Sequence, residues 1–209
     1  QRRKSAHGIA MTTEKNSVSP LSSQFVLLMA MACGLCAGSA YFNQPLIYSI
    51  EESLGITTSQ AGLTVVIAQI GYVLGLMLLV PLGDFLNKRK LVVSLMVFAA
   101  ISQILLSFST TLSTLYVFTL CATFGAISAQ VLIPFASTIS PPESSATIVG
   151  KLMSGLVMGI ILSRTFAGFV STYWSWEGVY LSSGIITLLF ATLMWKKLPD
   201  TQPQAGLTI

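Results

Sequence analysis

The sequence predicts an all-α membrane protein, a bundle of six transmembrane helices, and three observations carry that prediction. The first is composition. Of 209 residues, 53% are hydrophobic and 9% charged, with a mean hydropathy of +0.78, whereas a soluble domain carries about 25% charged residues to cover its surface. The second is the bunching of those charges. Uncharged gaps of 35, 31 and 52 residues separate Lys15 from Glu51, Glu52 from Asp84 and Lys90 from Glu143, and about 20 apolar residues suffice to cross the hydrocarbon core of a bilayer. The third is the segregation of basic residues to one side of the resulting topology, set out below. A soluble globule is excluded. So is nucleic-acid binding as a main role, despite a pI near 9.1, because no basic face survives outside short tails and loops.

The spans follow in order. The first is expected near residues 21–47 and the second near 59–82. The longest gap is too long for one crossing and breaks at the polar run Ser107–Thr114, giving spans near 91–106 and 115–139. Pro141 and Pro142 are expected to close the fourth helix, since proline removes a donor and disfavours helix before it. A fifth span is expected near 148–172 and a sixth near 180–195. Barrel strands do not fit, because they would be alternating segments of about ten residues. The domain reading is a tail over 1–20, a six-helix bundle over 21–195 and the start of a loop over 196–209. The chain opens on Gln1, and Met11 is a more natural start, which would leave 1–10 upstream of it.

Six crossings place both termini on one side, and the distribution of basic residues tests this independently. One side would hold Arg2, Arg3, Lys4, Lys15, Lys88, Arg89, Lys90, Lys151, Lys196 and Lys197; the other would hold only Glu51, Glu52 and Glu177. Ten basic residues against none sets both termini in the cytoplasm. The first apolar run exceeds a secretory h-region and five more spans follow, so it reads as a retained helix.

Small residues recur four apart within spans: Gly34 and Gly38, Gly71 and Gly75, Gly155 and Gly159. Such pairs let helix backbones approach closely in lipid. They suit packing inside the bundle or, on an outer face, dimerisation. The pairs in the second and fifth spans correspond if spans one to three and four to six are repeats, as in large transporters.

Polar residues inside the spans are the candidate site. Asn43 and Gln44 precede Pro45 near the end of the first span, where a freed carbonyl and two amides either line a wet cavity or cap the membrane exit. Gln69, Gln103 and Gln130 suit interhelical hydrogen bonds or cavity contacts. Arg164 has 12 uncharged residues on each side. A mid-span arginine costs at least ~2.5 kcal/mol on insertion scales and marks a pathway or anion site by default; the structural alternative is a clamp onto carbonyls or onto the amides above.

Enzymatic chemistry finds no support. His7, the only histidine, lies in the tail, and every carboxylate falls at a helix end, so neither a Ser–His pair nor paired acids can be assembled in a span. Cys33 and Cys36 have redox spacing without polar surroundings and read, with Cys121, as small helix residues. No cofactor and no metal is expected, and membrane lipid is the general partner.

Between the second and third spans stands Val80-Pro-Leu-Gly-Asp-Phe-Leu-Asn-Lys-Arg-Lys90. It resembles the loop motif G-x-L-x-D-R-x-G-R-R/K of the major facilitator superfamily, with the acid at Asp84 and the basic end at Lys88, Arg89 and Lys90; Val80, Phe85 and Asn87 depart from it. Tyr41–Leu46, Ala129–Pro134 and the fifth-span run Gly155–Gly168 resemble the bacterial drug and metabolite efflux branch. The resemblance implies one six-helix half, itself a 3+3 inverted repeat, of a twelve-span inner-membrane exporter of small molecules. It implies that Arg164 faces the central cavity, with Asn43, Gln44, Gln69 and Gln130 as further cavity candidates, and that Asp84 with Lys88 and Arg89 serves a gate. The leading expectation for the chain alone is a truncated, non-transporting half. The others are a half active as a homodimer or with a separate second half, and a membrane scaffold protein.

Overall fold

The computed structural model describes residues 21–200, all of whose regular elements are helices. The basic tail with Arg2, Arg3, Lys4, His7 and Lys15, and the loop start beyond Asp200, lie outside the described residues, as does the side chain of Asp84.

The first span is built from two helices, α1 (Ser23–Ser39) and α2 (Asn43–Leu54), bent by 45°. Pro45 stands in the first turn of α2, and its ring would clash with the carbonyl four residues back. That carbonyl belongs to Tyr41, inside the break. The break therefore has a local cause. The second span is α3 (Thr58–Phe85), opened by a capping box between Thr57 and Gln60. The third is α4 (Lys88–Leu106), capped by the Asn87 side chain. The fourth is again broken, into α5 (Leu112–Gly125) and α6 (Ser128–Thr138). Helix α7 (Pro142–Lys197) holds the fifth and sixth spans, folded at Trp174 and Ser175, where the backbone leaves helical values. Ser175 has φ 67° and ψ 173°, a region almost reserved to glycine.

Six spans result, and their boundaries correct the sequence reading at two places. The first span continues to Leu54 rather than ending near residue 47. Pro141 and Pro142 do not close the fourth helix, which has already ended at Thr138; Pro141 is the N-cap of α7 and Pro142 its first helical residue. A proline there loses nothing, because the first-turn N–H has no intrahelical acceptor.

Two buried clusters lie along the bundle. Met29, Cys33, Met96, Phe135, Leu152 and Met194 belong to the one nearer the lysine-rich end. Phe42, Leu46, Leu106, Leu115, Trp176 and Tyr180 belong to the one at the glutamate-bearing end. There Phe42 stands between Phe166 and Tyr180, with ring centroids 5.8 and 6.0 Å away. Burial is uneven. In their apolar windows 56% of α4 and 61% of the fourth span are buried, against 22% of α3 and 17% of α7. The second span and part of α7 thus turn apolar side chains outward.

Candidate functional site

Close helix contact positions the site. The first and fifth spans run in parallel and touch through backbone. A Cβ on Gly34 would stand 2.5 Å from the Gly155 carbonyl oxygen, and one on Gly38 would stand 2.7 Å from that of Gly159. The second and fourth spans meet the same way: a Cβ on Gly71 would lie 2.5 Å from the Leu120 carbonyl oxygen, and one on Gly75 would lie 2.9 Å from that of Phe124. Exchanging spans one to three with four to six maps the first contact onto the second. It also maps the broken first span onto the broken fourth, the internal symmetry expected of a repeat-built transporter half.

This crossing brings Arg164 beside the start of α2. An Nη donates to Gln44 Oε1 at 3.0 Å, and both side chains are exposed. The neighbouring Asn43 goes elsewhere. Its side chain is 4% exposed; Nδ2 donates to the Thr64 carbonyl at 3.2 Å, and Oδ1 accepts from the Tyr180 hydroxyl. Asn43 therefore ties the first, second and sixth spans together, and its amide is used at both ends. The cause is helical rotation: adjacent residues point about 100° apart, so Gln44 faces out where Asn43 faces in.

The glutamines separate as well. Gln130 Nε2 donates to the Tyr72 hydroxyl at 3.0 Å, linking the fourth and second spans. Gln69 is exposed on α3. Gln103 is buried, and neither its Nε2 nor its Oε1 has a protein partner. Cys33 and Cys36 are buried free thiols on α1.

The loop motif is divided. Asp84 lies on the last turn of α3 and Lys88 opens α4. Arg89 is engaged within this chain, at the exposed end of the sixth span: an Nη donates to the Trp195 carbonyl, and its guanidinium carbon sits 4.6 Å from the Trp195 ring centroid. Beside it Asn87 Nδ2 donates to Asp200 Oδ1. A cation at the end of the sixth span also suits the partial negative charge there. Sequence reasoning missed Tyr180, Tyr72 and Trp195 as partners. For Trp195 a signal existed, since tryptophans concentrate at the membrane interface beside basic residues.

Six apolar spans, two of them broken at matching places, with one arginine and several amides within them, define a multi-pass membrane protein of transporter type. The chain matches the family model of the Major Facilitator Superfamily over residues 27–208 and belongs to that family. It is 35% identical over 187 residues to the uncharacterized transporter YgaY of Escherichia coli O157:H7, covering 90% of this chain and 48% of that protein. It is 28% identical over 163 residues (78% and 38%) to SCO4007 of Streptomyces coelicolor, whose name also carries the word transporter. With the inner membrane transport protein YnfM of Escherichia coli K12 it shares 23% over 207 residues (92% and 49%). The chain spans about half the length of its first relatives.

Proposed function

We propose that this chain is the amino-terminal six-helix unit of an inner-membrane exporter of small organic molecules, with both termini in the cytoplasm. It works by alternating access against a second six-helix unit, and substrate is held between them near the membrane midplane. The observation that carries the reading is the Arg164–Gln44 contact. Among the described residues the hydrogen-bond partner of this arginine is an uncharged amide, so its charge is not neutralised by a carboxylate there. A guanidinium has five N–H donors, and an exposed, un-neutralised one within a span is suited to a polar or anionic group of a substrate. Gln44 and Gln69 present further amides on exposed positions, whereas Asn43 serves as a structural tie behind them.

The ten-to-none distribution of basic residues supports the orientation, and the name of YnfM supports the inner membrane. Asp84 and Lys88 of the loop motif are the gate residues proposed to meet the second unit, while Arg89 holds the sixth span. The test is export of a panel of small organic compounds from cells making this chain with and without a second six-helix unit. Export that requires the second unit, and that is abolished by Arg164→Ala with membrane insertion intact, supports the reading. Unchanged export in Arg164→Ala removes Arg164 from the site. Export by the chain alone assigns the activity to a homodimer, and capture of a stable soluble partner on its tails without export makes it a scaffold.

A further inference from the structure

A groove of about 500 Å³ runs between the first, fifth and sixth spans, and nothing in the transport reading uses it. Its walls are apolar: Met31 on α1, Met158, Leu162 and Phe166 on the fifth span, and Ile186 and Phe190 on the sixth. Met31, Met158 and Leu162 are about half exposed, so the groove is open rather than enclosed. We propose that it holds an acyl chain of an anionic phospholipid, whose phosphate rests between Lys151 and Lys197.

Helical register makes the argument. Two turns take about 7 residues. Lys151 is therefore on the same stripe of the fifth span as Met158, and Lys197 is on the same stripe of the sixth as Phe190. Both lysines are exposed. They also stand at one level. Ala30 on α1 packs against Gly155, while Asn43 meets Tyr180; counting along the antiparallel sixth span from these contacts brings Lys151 and the Lys196–Lys197 pair to the same end. From Gly155 to Phe166 the groove follows the fifth span for about 16 Å at 1.5 Å per residue. One leaflet of the hydrocarbon core is about 15 Å deep. An apolar channel one leaflet deep with ammonium groups at its mouth matches a phospholipid with a negative headgroup.

Other occupants fit less well. Leu162 and Arg164 lie about 200° apart around the fifth span, so the groove opens away from the arginine and from the second six-helix unit proposed to face it. A second copy inserted in the same orientation would set its own Lys151 and Lys197 against this pair.

The test is native mass spectrometry of the full chain released from detergent, with phosphatidylglycerol or phosphatidylcholine of the same acyl chains. Phosphatidylglycerol should be retained preferentially. Lys151→Gln and Lys197→Gln should each weaken it about fivefold, the equivalent of about 1 kcal/mol per lysine near an anionic headgroup, without changing phosphatidylcholine. Lys90→Gln, on α4 at the same end of the bundle but outside the groove's walls, should change neither. Equal retention of the two lipids, or an equal loss in Lys90→Gln, overturns the proposal. Because a variant can fail to fold, photoreactive acyl-chain phosphatidylglycerol is also mapped on the unaltered chain. Crosslinks at Met158, Leu162 or Ile186 support it; crosslinks confined to other faces, or occupation of the groove by another polypeptide or a second copy, overturn it.

Discussion

Gly159 leaves no room for a side chain against Gly34: a Cβ there would lie 2.1 Å from the Gly34 carbonyl oxygen and 2.3 Å from its Cα. The obstacle is backbone, which cannot swing aside as a side-chain end can. Gly159→Ala should separate the first and fifth spans and destabilise the bundle by about 3 kcal/mol, the upper range for overpacking. Gly150→Ala, with nothing within 4 Å, should be neutral or slightly stabilising. Thermal unfolding in detergent, followed by circular dichroism, checks both; equal midpoints would show that the backbones are not in contact.

Tyr180→Phe removes the hydroxyl that donates to Asn43 Oδ1 and leaves a buried acceptor without that partner. The expected cost is about 1–3 kcal/mol. Gln44→Ala, at an exposed side chain, should change stability much less. The two variants therefore separate the buried, structural amide from the exposed one, and comparable losses in the same unfolding assay would contradict the division.

Arg89 both donates to the Trp195 carbonyl and lies over the Trp195 ring. In a double-mutant cycle, Trp195→Ala removes the ring but leaves the carbonyl, so the coupling with Arg89→Ala isolates the cation–π contact. It should be about 0.5–1 kcal/mol at this exposed site. Arg89→Lys should recover part of the stability, since charge is kept while the planar guanidinium is lost. A coupling of zero would leave the carbonyl bond as the whole of the clamp.

Topology reporters placed after Glu52, Thr111 and Ser175 should all be found outside the cytoplasm, and one placed after Lys90 inside it. These sites lie at or next to the turns between successive spans. A cytoplasmic signal from any of the first three would reverse the proposed orientation or change the number of crossings.

The number of spans was legible in the sequence because the partition of long apolar runs into lipid depends on composition and length, and neither needs tertiary information. The orientation proposed from the basic residues is likewise a reading of the sequence, resting on loop charge rather than on apolar length, and the reporters above test it. Boundaries were less so. Pro141 and Pro142 mark a helix edge, but proline suits both the stop of one helix and the first turn of the next, and only the observed caps distinguish them.

Within the site, the sequence determined which residues are expensive to place in a membrane: Arg164, Asn43, Gln44 and the glutamines of later spans. It could not say which of them meet. Asn43 and Gln44 are adjacent, yet one is locked against Thr64 and Tyr180 while the other reaches Arg164, 120 positions away. That assignment depends on how helices rotate about their axes when Gly34 and Gly159 bring their backbones together. Rotation is set by side-chain packing between distant segments, which a linear pattern of polarity does not encode.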